Sequence, residues 1–136
     1  MSLSFMKLVQ ISAIDKVYKR FCIKYFSMFS WFIGLLLMNV STTYDAFLLG
    51  SYINHTIIYE VSPDFFPISY SLITGKGDCY NLAKLYCFLM NIKGHNCNVL
   101  KLDTNNDNIP NHAISLINDS IGCYTMDLTS LRFKVC

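Results

Sequence analysis

The stretch GKGDCYNLAKLYCFLMNIKG, Gly75–Gly94, constrains this chain more than any other. Between Cys79 and Ile92 the only charge is Lys84. Leu82, Leu85, Tyr86 and Leu89 recur at helical spacing, and Ala83, Cys87, Phe88 and Met90 fill the remaining sides. A helix that is apolar nearly all round is stable only when other elements surround it. Cys79–Ile92 is therefore predicted to be a helix at the centre of the fold. Asp78 is a good N-cap, and KGHN ends the helix with Gly94 as the C-cap residue.

The pattern changes after that helix. CNVLKLD (97–103), HAISLI (112–117) and CYTMDL (123–128) read as strands, turn-forming NDSIG lies between the last two, and LRFKVC adds a closing strand. A buried helix followed by an antiparallel sheet is an α+β arrangement. Upstream, TTYDAFLLGSYINHTIIYEV has a helical or mixed period. Pro63 and Pro67 in SPDFFP interrupt it, and ISYSLIT forms a short helix or turn before Gly75. With 136 residues, 53% of them hydrophobic and 15% charged, the chain suits one compact domain with an appended segment and excludes disorder.

Charge is unevenly spread. Residues 1–24 carry Lys7, Lys16, Lys19, Arg20 and Lys24 against Asp15, a net of +4, while six basic and eight acidic residues leave 25–136 at −2. Basic residues do not recur through the body with stacking aromatics, so no nucleic-acid partner is expected. The uncharged run FSMFSWFIGLLLMNV (26–40) follows the basic head. Three readings compete for it: a signal anchor, a core helix of a soluble domain, and a cleaved signal peptide whose run ends late. The division adopted is a basic head plus hydrophobic helix over 1–40 and a folded domain over 41–136. Membrane attachment through residues 21–40 would put the head in the cytoplasm and the body outside, by the positive-inside rule. The alternative is a soluble cytoplasmic protein.

Six cysteines, Cys22, Cys79, Cys87, Cys97, Cys123 and Cys136, show no CxxC spacing, which gives no support to a zinc or thioredoxin-like site. Apart from Cys79 they are expected to be simple buried thiols, although a secreted chain could pair them. Cys79 stands in the first turn of its helix, where unpaired amides and the dipole favour a thiolate and can receive an oxyanion. A structural thiol at a helix start is the plainer alternative. If the NDSIG hairpin turns at Asp119 and Ser120, residue 118 faces 121 and His112 faces Asp127 on one side of the sheet; a turn built on Ser120 to Gly122 would shift that register. A carboxylate beside an imidazole fixes its tautomer and stabilises the imidazolium. Cys79, His112 and Asp127 then form a nucleophile, base and orienter.

These pieces, GKGDCYNLAKLYCFLMNIKGHNCNVLKL, NHAISLIND and GCYTMDLTS, resemble the core of the transglutaminase-like superfamily over roughly residues 70–130. The resemblance implies a papain-like α+β fold with N-terminal helices, and acyl transfer on a peptide or protein substrate. Cys79 would be the nucleophile, His112 the general base and acid, and Asp127 the orienter. No cofactor or metal is implied. The backbone N–H of Cys79 would be one oxyanion donor, with no residue assigned as the second. Many members carry an aromatic residue two places after the histidine, where this chain has Ile114, and Asp-Pro-Thr where it has Asp127-Leu128-Thr129. The expected reaction is hydrolysis through a thioester. A crosslinking transglutaminase, an inactive peptide-binding relative, and a small integral membrane protein with a coincidental match are the rivals.

Asp103, Asn105 and Asp107 resemble the start of a calcium loop, but Asn108 replaces the glycine and Ile114 the glutamate that such loops use. The segment is read as a solvated connection. His55 and His95 lack metal-ligand neighbours and are assigned surface or capping roles. Asn39, Asn54 and Asn118 begin N-x-S/T triplets that matter only in a eukaryotic secretory route.

Overall fold

In the computed structural model, residues 28–61 and 66–136 are described. The basic head and the first residues of the hydrophobic run lie outside them. Helix α1 covers 28–37, followed by α2 (Thr43–Thr56), β1 (Ile58–Tyr59), α3 (Ile68–Thr74), β2 (Lys76–Gly77) and α4 (Cys79–Ile92). The chain then runs through β3 (Cys97–Leu102), β4 (His112–Asp119), β5 (Gly122–Asp127) and β6 (Arg132–Val135). The last four strands form an antiparallel sheet in the order β3-β4-β5-β6, and β1 and β2 form a separate parallel pair. The class is α+β.

Helix α4 forms where its pattern predicts, and it is the centre of the core. Leu85, Tyr86, Leu89 and Met90 are wholly buried, and of its large apolar residues Phe88 and the terminal Ile92 are exposed, at 40% and 52%. Each such buried side chain contributes roughly 1.5–3 kcal/mol by leaving water. The helix packs on β3 and β4, where the Ser115 hydroxyl donates to the Ala83 carbonyl (3.3 Å). On its other side the Tyr86 hydroxyl donates to Ala46 of α2 (3.0 Å), and burial holds that phenol well above its ordinary range. At the C-terminus Lys93, rather than Gly94, is the cap residue; Gly94 follows it with φ +88° and turns the chain.

Helix α1 joins this core through Leu35, with Val40 just after it, while Phe29, Ile33 and Leu37 stay exposed. Lys93 Nζ donates to the carbonyls of Leu36 (3.0 Å) and Met38 (2.5 Å) at the end of α1. A cation there also suits the negative pole of the helix. Among the described residues, no helix is long and apolar enough to cross a membrane.

Four cysteines expected to be simple thiols are paired instead. Cys87 of α4 joins Cys97 at the start of β3, and Cys123 of β5 joins Cys136. Cys87 lies inside a helix, where a partner must come from another element. The reversal at Gly94 brings β3 back along α4, so the two Cα atoms lie 5.0 Å apart, within ordinary disulfide reach.

His95 takes a structural rather than a surface part. Its Nε2 lies 2.7 Å from the Val40 carbonyl and its Nδ1 3.2 Å from Asp119 Oδ2. Asp119 also accepts from the amides of Ile121 (3.0 Å) and Asn96 (2.6 Å). Burial pushes the Asp119 carboxyl up, but the Ile121 and Asn96 amides and His95 outweigh it, and the net shift is downward. A depressed carboxyl contributes stability above its unfolded value of 3.8 and loses it as pH falls through the folded value. Asp119→Asn is therefore expected to lower the urea midpoint at pH 7, and the gap from wild type should shrink below about pH 4. A gap of constant size down to pH 2–3 would mean the charge is immaterial. Asn54 Nδ2 donates to the Leu128 carbonyl (2.6 Å), so a glycan on Asn54 would compete with that bond.

Candidate active site

The start of α4 is built to hold one conformation. The Asp78 side chain accepts from the Asn81 amide (2.9 Å), and the Asn81 side chain accepts from the Asp78 amide (3.0 Å). This reciprocal capping box is buried, with Asn81 at 0% exposure and Asp78 at 6%. Gly75, with φ +70°, ends α3 in the left-handed conformation. At Gly77 a Cβ would come within 2.8 Å of Ser71 Oγ and 2.9 Å of Asn81 Cβ, so only glycine lets α3 pack this close to the capping box. The glycines of GKGDC thus serve the turn and the packing, and Cys79 follows as the first residue of the helix.

The β1–β2 pair holds a second segment against this turn. Ile58 faces Lys76 and Tyr59 faces Gly77, with the Ile58 amide on the Gly75 carbonyl (2.8 Å) and the Glu60 amide on the Gly77 carbonyl (2.9 Å). Tyr59 is thereby set two residues from Cys79 across the ladder. Its hydroxyl is pushed up first by burial and then by the negative charges of Cys79 and Asp78.

His112 opens β4, opposite Leu102, and Asp127 closes β5. Their hydrogen bond joins His112 Nε2 to Asp127 Oδ2 at 2.8 Å. The hairpin register that leads there differs from the one expected. Asp119 pairs with Gly122 and Ser115 with Met126, so the tip is Ser120–Ile121. Moving the tip by one residue displaces every pairing by two. A shift of two keeps each side chain on its face, whereas a shift of one would reverse it. Continued to the strand end, the register sets Asp127 opposite Ile114, with His112 on the diagonal. Diagonal neighbours lie roughly 7–8 Å apart, within reach of an imidazole and a carboxylate. The other carboxylate oxygen, Oδ1, accepts from the Thr129 amide (3.1 Å). With Asp127 as acceptor, Nε2 carries the proton and Nδ1 is left with the lone pair.

Cys79 and His112 line one cleft of about 280 Å³, with Tyr59, Asp78, Tyr80 and Lys101 among its walls. Cys79 takes part in neither disulfide and is partly exposed. The side chains of His112 and Asp127 are 25% and 20% exposed, so their bond is half-shielded from water. The Lys84 and Lys101 ammonium groups lie 4.8 and 4.6 Å from the centre of the Tyr80 ring, and Lys84 also donates to the Phe66 carbonyl. Among the described residues, no group of three or more His, Cys, Asp or Glu side chains could hold a metal ion.

All three residues selected from sequence, Cys79, His112 and Asp127, thus lie at this end of the sheet, two of them directly bonded. Sequence reasoning missed Tyr59. A two-residue parallel pairing carries no pattern of its own, and Ile57-Ile58-Tyr59 reads as the tail of an apolar helix. No family model, curated protein or solved structure matches the chain.

Proposed function

We propose that this protein is a cysteine-dependent acyl-transfer enzyme of papain-like, transglutaminase-like architecture that hydrolyses a peptide or amide bond. The observation that carries the reading is the 2.8 Å bond between His112 and Asp127 in the wall of the cleft that Cys79 also lines. In the reaction His112 takes the Cys79 thiol proton, and Sγ forms a bond to the substrate carbonyl carbon. The tetrahedral oxyanion collapses, the C–N bond breaks, and His112 returns the proton to the leaving amine. Water then attacks the thioester, giving its proton to His112, and the acid leaves as Cys79 recovers its thiol. Asp127 holds the ring through Nε2 and stabilises the imidazolium in both halves.

In this reading the domain works outside the reducing cytosol. Two disulfides support that setting. So does the basic head before the hydrophobic run. Attachment through residues 21–40 belongs to the same proposal, supported by the outward-facing Phe29 and Leu37, which are 64% and 81% exposed. The partner is a peptide or protein substrate.

The test is alkylation of the full chain by iodoacetamide at pH 7, followed by peptide mass mapping. Cys79 is expected to label selectively, and His112→Ala should slow that labelling by at least ~10-fold, since the base generates the thiolate. Equal rates in the two proteins would leave only a peptide-binding module.

A further inference from the structure

A thiolate attacking a carbonyl places negative charge on oxygen, and donors fixed before the reaction stabilise it. In the acyl-transfer reading the amide of Cys79, the first residue of α4, is one donor. Resting on the acyl-transfer reading, we propose that the Tyr59 hydroxyl is the second oxyanion donor of this cleft.

Three observations converge on that residue. Tyr59 lines the same cleft as Cys79 and His112. Its neighbours Ile58 and Glu60 are hydrogen-bonded to Gly75 and Gly77, and Tyr59 itself faces Gly77, so the ladder sets Tyr59 beside the segment that feeds Cys79. Its hydroxyl is raised from an ordinary value of 10.0, first by burial and then by the charges of Cys79 and Asp78, which sets it within electrostatic reach of the thiol and leaves it protonated at neutral pH. A phenol held in that state has a proton to give and no tendency to compete as a base.

The other polar groups of the cleft fit less well. Tyr80 has two ammonium groups over its ring. Asn111 is turned toward the 103–111 loop, its Oδ1 accepting from the Thr104 amide (3.0 Å) and hydroxyl (2.8 Å). Asp78 is committed to the capping box.

Two probes separate this role from the chemistry of the thiol itself. Iodoacetamide is attacked at a saturated carbon: the S–C bond forms, iodide leaves with its electron pair, and no oxyanion arises. p-Nitrophenyl acetate is attacked at a carbonyl: the S–C bond forms, the oxyanion develops, and p-nitrophenolate leaves as the thiol proton passes to His112. Tyr59→Phe in the full chain is expected to be alkylated at the wild-type rate but acylated on the order of 10²-fold more slowly. Unchanged acylation, or alkylation and acylation falling together, would overturn the assignment, as would a loss found in Asn111→Ala instead. The acyl-transfer reading fails separately: His112→Ala would then be alkylated as fast as wild type. A wild-type chain that is alkylated but never acylated removes both.

Discussion

Asp127→Asn is expected to lose on the order of 10³- to 10⁴-fold in acyl-transfer rate while remaining folded. The argument lies in the two oxygens of the native carboxylate. Oδ2 accepts from His112 and Oδ1 accepts from the Thr129 amide, so the site needs two acceptors. An asparagine offers one acceptor and one donor. If its oxygen meets the Thr129 amide, its NH₂ faces Nε2 and draws the ring into the tautomer with the proton on Nδ1. The lone pair needed to take the Cys79 proton is then on the wrong nitrogen. If its oxygen meets His112 instead, two N–H groups face each other at Thr129. Either orientation also removes the charge that stabilises the imidazolium. The steady-state rate of p-nitrophenyl acetate hydrolysis, with thermal unfolding as the control for folding, decides it. A wild-type rate in a folded Asp127→Asn protein would mean that the His112–Asp127 bond braces the hairpin and does not serve the thiol.

The Cys87→Ala/Cys97→Ala variant is expected to lose about 3 kcal/mol of stability. The bridge joins residues 10 apart in sequence, and closing a loop of that size restricts the unfolded chain by about that amount. Cys87 and Cys97 are themselves buried, so the alanines also leave small voids. For a domain of this size the loss lowers the unfolding midpoint by roughly 10 °C or more. Reductant should reproduce most of that shift in the wild type and none of the Cys87–Cys97 part in the variant. If the variant and the wild type unfold at the same urea midpoint, the bond does not restrain the unfolded chain and the fold rests on packing alone.

What the sequence made legible follows from how strongly each region is patterned. Helix α4 announced itself because a single charge interrupts its apolar run and Asp78 marks its start; the Asn81 half of the capping box came only with the structure. The strands were legible as short segments set off by turn residues rather than from a clean alternation: on β4 the buried positions are Ala113, Ser115 and Ile117, and the apolar Ile114 and Leu116 are only partly covered. The hairpin tip was not. Asp119, Ser120 and Gly122 are all good turn residues, and the choice among them is made by the Asp119 side chain accepting from the Ile121 amide. The His112–Asp127 pairing survived that error because the displacement was even. The disulfides were illegible because a pairing depends on where the reversal at Gly94 sets β3 against α4, which spacing does not encode. Tyr59 depends on a ladder two residues long, whose partner lies beyond α3.

The bond between Cys123 and Cys136 has a mechanical consequence. It ties the residue just beyond β6 to the second residue of β5, and the Cys136 amide donates to the Cys123 carbonyl (3.0 Å). Tension arriving at Cys136 therefore bypasses the edge strand and loads an interior one. The sheet resists as a sheared block, and β6 is spared the bond-by-bond peeling to which an untethered margin would yield.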